Sequence, residues 1–169
     1  MIRDLCYYGN PILRKKALPV KDFNEDLKKL VDDMIETMLI SDGVGLAAPQ
    51  IGESIQLAIV DPSPHLGGTT RMILVNPEIT PVGNQSEVAQ EGCLSVPGIY
   101  AKVKRPLTIE VKAQDIHGEP LVFEASGFTA RIILHETDHL KGMMFVDKVI
   151  AKDKPMVEQA LKELLKNHV

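Results

Sequence analysis

Two histidines four residues apart can meet one cation when the chain between them is helical. The stretch LHETDHLKG, residues 134–142, sets that condition for His135 and His139. On an α-helix, positions i and i+4 lie about 40° apart around the axis and ~6 Å along it, so both imidazoles leave one face. Glu136 sits beside them, within reach of a water on such an ion. Phe128, Ile132 and Ile133 precede the histidines, so the helix is expected to be largely buried. A buried His–Glu–His cluster needs partners. Ser126 is placed to cap this helix, and Gly142 to end it in a left-handed turn.

The rest of the chain sorts into helices near its ends and strands between them. Asn10-Pro11 can open a short helix. From Asn24 to Ile40 the residues Leu27, Leu30, Val31, Met34, Ile35, Met38 and Leu39 form a core-facing stripe. The glycine-bearing stretch DGVGLAAPQIG ends it. Six β-type runs follow: IQLAIV, MILVNP, EVAQEGCLSV, IYAKVK, LTIEVKA and LVFEA. In LTIEVKA, apolar Leu107, Ile109, Val111 and Ala113 alternate with polar neighbours. DIHGEP reads as the hairpin turn between the last two runs. No long helices separate the strands, so an antiparallel or mixed sheet is expected in place of a doubly wound parallel one. A last amphipathic helix, about Lys154 to Asn167, carries Val157, Leu161, Leu164 and Leu165. The expected fold is α+β: antiparallel or mixed β-sheets packed around a central HExxH-bearing helix, with N-terminal and C-terminal helices. Residues 1–169 read as a single domain, since no repeat, linker or low-complexity tract divides them.

Composition narrows the function. A net charge of −4 with no basic stripe argues against DNA or RNA as partner. No apolar run approaches the ~20 residues of a membrane helix. The N-terminus lacks the apolar core of a signal peptide, so a cytoplasmic protein is expected. Two cysteines, Cys6 and Cys93, make no disulfide framework, and in a reducing compartment they stay thiols available to a metal.

The third ligand decides the chemistry. A pattern HExxHxxGxxH would need a histidine at position 145, where Phe145 stands. A downstream glutamate is the other standard solution. Glu158 and Glu163 are available, but they lie among Lys154, Lys162 and Lys166 and read as a solvated face. Cys93, in EGCLS, remains. A thiolate with two imidazoles suits Fe(II), Zn(II), Co(II) or Ni(II). Three protein ligands leave one coordination position open, the mark of a catalytic site. His65, His117 and His168 have no ligand-type neighbours and read as solvent-facing. Cys6, beside Tyr7 and Tyr8, reads as a small packed residue.

GVGLAAPQ, EGCLS and HETDH, in this order and with PILRK near the start, closely resemble the motifs of the peptide deformylases. The likeness runs nearly full length, and the final helix resembles that of the Gram-negative type. The resemblance implies a metal-dependent hydrolase that removes the N-formyl group from the N-terminal methionine of nascent proteins and releases formate. It implies Cys93, His135 and His139 as metal ligands, with Fe(II) expected and Zn(II), Ni(II) or Co(II) as alternatives. It makes Glu136 the proton carrier, and it places the Gln50 amide and the Leu94 backbone N–H at the formyl oxygen. Val44, Gly45 and Gly92 would pair with an extended peptide. By their position beside His135 and Glu136, Val44, Phe128 and Ile132 are candidates for a slot for the methionine side chain, with plain core packing as the alternative for Phe128 and Ile132. Glu91 and Arg105 would brace the strand carrying Cys93. Leu134 departs from the glutamine many members have there. Arg131, odd on an apolar helix face, is expected at the substrate entrance. Partners would be N-formylmethionyl nascent chains and, through Lys154, Lys162 and Lys166 of the last helix, the ribosome. Two other readings compete: a zincin-like metallopeptidase with a different third ligand, and a thiol-redox sensor with a closed four-ligand site.

Overall fold

Asn24 starts the first long helix, α1 (Glu25–Ile40), its Oδ1 accepting from the Leu27 N–H at 3.1 Å; such a cap contributes about 1 kcal/mol. Leu27, Val31, Met34 and Met38 turn inward with the spacing of one helix face. Leu39 does not join them. It lies 100° further round than Met38 and is exposed. Asp33 and Thr37 are buried on that side because they hold the N-terminal segment. Thr37 Oγ1 accepts from the Arg3 backbone N–H at 2.9 Å, and Asp33 Oδ2 from Arg3 Nε at 3.0 Å.

The computed structural model describes residues 1–66 and 71–168, and for His65, Leu66 and His168 the backbone alone; the exposure expected for His65 and His168 therefore lies outside what is described. After α1 come β1 (Gly45–Ala47), β2 (Leu57–Val60), a single helical turn α2 (Ser63–Leu66), and β3 (Met72–Pro81). The hairpin β4 (Ser86–Cys93) and β5 (Val96–Pro106) follows, then β6 (Thr108–Gln114), β7 (Pro120–Ser126), α3 (Gly127–Leu140) and α4 (Lys154–His168). Every pair of these strands is antiparallel. Five form one sheet in the order β1-β2-β3-β6-β7, and β4-β5 form a separate two-stranded sheet. This is an α+β fold with antiparallel sheets. β1 and α2 were not among the expected elements, and each is too short for a period to register.

Helix α3 touches strands of both sheets: β1, β2, β6 and β7 of the larger, β5 of the smaller. Its Ala130, Ile132 and Ile133 pack with Val60, Leu74, Ile109 and Val111. Burying each large side chain of this kind contributes roughly 1.5–3 kcal/mol. Ser126 stands at the N-cap as expected, but its hydroxyl does not cap; it lies 2.9 Å from Thr108 Oγ1 across the β6-β7 ladder. The C-terminus closes as the sequence indicates. Gly142 N–H donates to His139 O and Met143 N–H to Asp138 O, with Gly142 at φ +77°. That double bond satisfies carbonyls the helix leaves open.

Gly142 also has no room for a side chain, since a Cβ there would stand 2.5 Å from the Arg14 carbonyl oxygen. Gly142→Ala should therefore lose about 2 kcal/mol or more, from the left-handed backbone and the clash together. Urea denaturation of the two proteins checks this, and equal midpoints would contradict it.

Candidate metal centre

Cys93 ends β4, while His135 and His139 share one face of α3. The sulfur and the two imidazoles converge, with all three donor atoms within 4.8 Å of one another. Cys93 Sγ lies 3.3 Å from His139 Nε2, close to the roughly 3.5 Å edge expected between donors ~2.0–2.3 Å from one tetrahedral ion. The rings sit edge to face, centroids 5.3 Å apart. Among the described residues, the buried side-chain polar atoms without a hydrogen-bond partner are Glu136 Oε1 and His139 Nδ1, both in this cluster. Soft sulfur, two buried imidazoles and an unpartnered carboxylate oxygen on the residue next to His135 fit a divalent transition metal. No further Cys, His, Asp or Glu joins the group among the described residues.

The surrounding shell is ionic and buried. Glu91 Oε1 is 3.0 Å from His135 Nδ1, which leaves His135 Nε2 as the free donor. Arg105 grips the same carboxylate with two N–H groups, each at 2.9 Å. Its third arm donates to Asp138 at 2.6 Å, and Asp138 also takes Lys148 at 3.0 Å. Arg131 donates to Glu91 Oε2 at 2.7 Å. Burial alone would raise the Glu91 carboxyl, but hydrogen bonds and charge from Arg105 and His135 outweigh it and hold it at about 2. Burial would lower His135, yet the Glu136 charge and contacts with Cys93 and Glu91 raise it well above its ordinary value. His139 is pushed well down by burial and by the positive charge of His135.

A cleft of about 710 Å³ opens onto this cluster, a size suited to a small ligand or a few peptide residues. Val44, Gly45, Gln50, Gly92, Leu94, Phe128 and Ile132 all line it, together with Cys93, His135 and Glu136. Burial pushes the Glu136 carboxyl up to about 7. Gly45 makes room for that carboxylate: a Cβ at position 45 would stand 2.5 Å from Glu136 Oε2. Gln50 is fixed at both ends, its Oε1 accepting from the Ala47 N–H at 2.9 Å and its Nε2 donating to Ser95 Oγ at 3.1 Å. Nε2 also lies 3.5 Å from Cys93 Sγ. The Tyr100 ring lies against Gly92, where a Cβ would meet it at 2.5 Å.

Other positions behave as follows. His117, Glu158 and Glu163 are exposed and away from the cluster, and Cys6 is half-buried against Val96, Phe145 and their neighbours. Leu134 packs in the apolar cluster of Val60 and Leu74. Phe145, which occupies the position a third histidine would need, stacks on the His135 ring at 5.8 Å. Arg131 lines the cleft; it is buried, and its guanidinium bonds Glu91 and the backbone carbonyls of Glu87 and Val103, so it also braces the cleft wall. Asp138, Ser95 and Tyr100 went unnoticed in the sequence. Only Asp138 carried a signal, as the acidic residue at the third position after His135.

Comparison with known proteins follows the same lines. A family model described as polypeptide deformylase matches residues 2–155. A peptide deformylase of Methylacidiphilum infernorum is 41% identical, covering 97% of this chain and 93% of that relative. The crystal structure of peptide deformylase from Thermotoga maritima superposes with a TM-score of 0.84 at 42% identity, covering 89% of this chain and 99% of that one. A peptide deformylase from Synechococcus elongatus, solved in complex with actinonin, gives 0.88 at 39% identity, with 95% and 86% covered.

The ion network predicts its own pH signature. Arg105→Met leaves Glu91 to Arg131 and His135 and Asp138 to Lys148, but it removes three buried charge-assisted hydrogen bonds and should cost about 3 kcal/mol near pH 6. The wild-type Glu91 pKa is depressed, so its stabilisation is present above the unfolded value of about 4.3 and is lost as pH falls toward about 2. Without Arg105 that pKa moves up toward its ordinary range, so the carboxyl protonates at a higher pH than in the wild type and the deficit shrinks at low pH. Urea titrations of both proteins at pH 6 and pH 3 measure this; a deficit independent of pH would refute the account.

Proposed function

The chain belongs to the peptide deformylase family, a metal-dependent hydrolase that removes the N-formyl group of formylated nascent peptides, and we propose that Cys93, His135 and His139 hold its ion while Glu136 moves its protons. The carrying observation is the three-donor cluster with an unpartnered carboxylate oxygen beside it. A divalent cation held there supplies Lewis acidity, making a water acidic near neutral pH and polarising a carbonyl oxygen. Glu136, with its carboxyl near neutrality, takes the water's proton as the oxygen adds to the formyl carbon. Negative charge then grows on the formyl oxygen. The Gln50 Nε2–H, held near Cys93 Sγ by Ser95, and the Leu94 backbone N–H donate to it. The C–N bond breaks, Glu136 returns its proton to the departing amine, and formate and a free α-amine result.

The peptide runs between the two sheets. Val44 O is already taken by the Asp61 N–H, so strand alternation turns the Gly45 N–H and C=O to the free edge of β1. Gly92 falls where the β4-β5 register breaks, between Glu91 and Cys93. We assign both glycines to the peptide backbone, and Val44, Phe128 and Ile132 to the methionine slot.

The remaining assignments rest on the donor chemistry and the resemblance. The ion is Fe(II), with Zn(II), Ni(II) or Co(II) as substitutes. Residues 1–169 act as one catalytic domain with α3 as its central element. No described helix is long and apolar enough to cross a membrane, and we assign a cytoplasmic location with ribosomal docking through Lys154, Lys162 and Lys166. A metallopeptidase is not favoured, because Glu158 and Glu163, its candidate ligands, are exposed on α4.

Formate release from formyl-methionyl peptides, beside metal analysis, tests this reading. Glu136→Ala should bind metal normally and lose ~10²–10⁴ in kcat; near-normal turnover would remove Glu136 from its role. Cys93→Ala should bind metal poorly, and tight full occupancy would refute the thiolate. Gly45→Ala should keep its metal yet turn over ~10²-fold more slowly, because the added methyl displaces the Glu136 carboxylate.

A further inference from the structure

The two sheets share no backbone ladder among the described residues, so side chains join backbone bonds such as Tyr8 N–H to Ser95 O in setting how Cys93 on β4 faces His135 and His139 on α3. Arg131 of α3 reaches into the β4-β5 hairpin. Its NH1 donates to Val103 O on β5 at 2.8 Å and lies 3.4 Å from Ala89 O on β4. Its NH2 donates to Glu87 O on β4 at 2.8 Å. NH1 also meets Glu91 Oε2 at 2.7 Å, while the other oxygen of that carboxylate contacts His135 Nδ1. The residue is 5% exposed. One guanidinium thus holds both strands of the hairpin and the carboxylate that orients a ligand, from a position one helical turn before that ligand.

We propose that Arg131 is a positioning residue of the metal centre: it fixes the distance and angle between the Cys93 sulfur and the two imidazoles by clamping the β4-β5 hairpin to α3. The inference rests on the three-ligand reading above. Arg105, on β5, also ties the hairpin to α3 through Asp138 and to Glu91 on β4, but the Glu87 and Val103 carbonyls are held to the helix by Arg131. A lysine at 131 offers one charged nitrogen in place of a planar fork, and it can serve Glu91 or the carbonyls but not all of them.

The test uses cobalt-loaded full-length protein, with Arg131→Met and Arg131→Lys beside the wild type. Three measurements are made: cobalt affinity by chelator competition, the visible absorption of bound cobalt including its sulfur-to-metal band, and urea denaturation of the metal-free chains. Arg131→Met should bind cobalt ~10–100-fold more weakly, with shifted ligand-field and sulfur bands. Arg131→Lys should fall between it and the wild type. If Arg131→Met does not fold, the lysine variant decides alone by the same bands and affinity. Unchanged affinity and spectrum in the folded variants, whatever their urea midpoints, would overturn the inference and leave the three-ligand reading intact. A wild type that binds cobalt without a sulfur band would overturn both.

Discussion

One buried carboxylate joins the parts of this structure that chemistry needs together. The two oxygens of Glu91 take Arg105 twice, Arg131 and His135, at 2.7–3.0 Å. These groups come from β4, β5 and α3, elements of separate layers. A buried ion network of this kind returns little net stability, because desolvation cancels much of the attraction. Its consequence is geometric. It forces Cys93, two residues beyond Glu91, to face His135, the very group Glu91 orients.

The same geometry separates two carboxylates that lie close together. Both Glu91 and Glu136 are buried, yet one is held at about 2 and the other pushed up to about 7. Glu91 is surrounded by cationic donors. Glu136 has an oxygen with no partner and lies against the bare backbone of Gly45. Glu91 is thereby locked as an anion with a structural task, while Glu136 can gain and lose a proton near neutral pH. Environment, and not residue type, divides the labour.

Much of this was legible in the sequence for a local reason. The i, i+4 spacing of His135 and His139, the inward face of α1 and the alternation in β6 are properties of neighbours a few residues apart. Cys93 emerged because Phe145, Glu158 and Glu163 each failed as a third ligand. What stayed hidden was long-range. Arg131 bonds atoms 28 to 44 residues away in the chain, so nothing beside it in the sequence marks it as a clamp. Leu39 was drawn into the core stripe because an apolar residue at the edge of a helix face looks the same whether a neighbour covers it or not. β1 is three residues long, too short for any pattern, and it exists because β2 lies beside it.

The cleft lies where the two sheets fail to join. Among the described residues β1 pairs with β2 alone and β4 with β5 alone, so each keeps one unpaired edge. Edges are normally blunted by charge, proline or cover, since they attract other chains. Here both border the cleft, through residues 43–45 and 90–94. An extended segment entering it can complete both sheets at once and satisfy backbone groups that neither sheet satisfies alone. Gly45 and Gly92 let Glu136 and Tyr100 pack directly against these edges, because a side chain at either position would collide with them. Recognition through main-chain atoms is indifferent to most side chains. An enzyme acting on formylated nascent peptides of many sequences needs that tolerance.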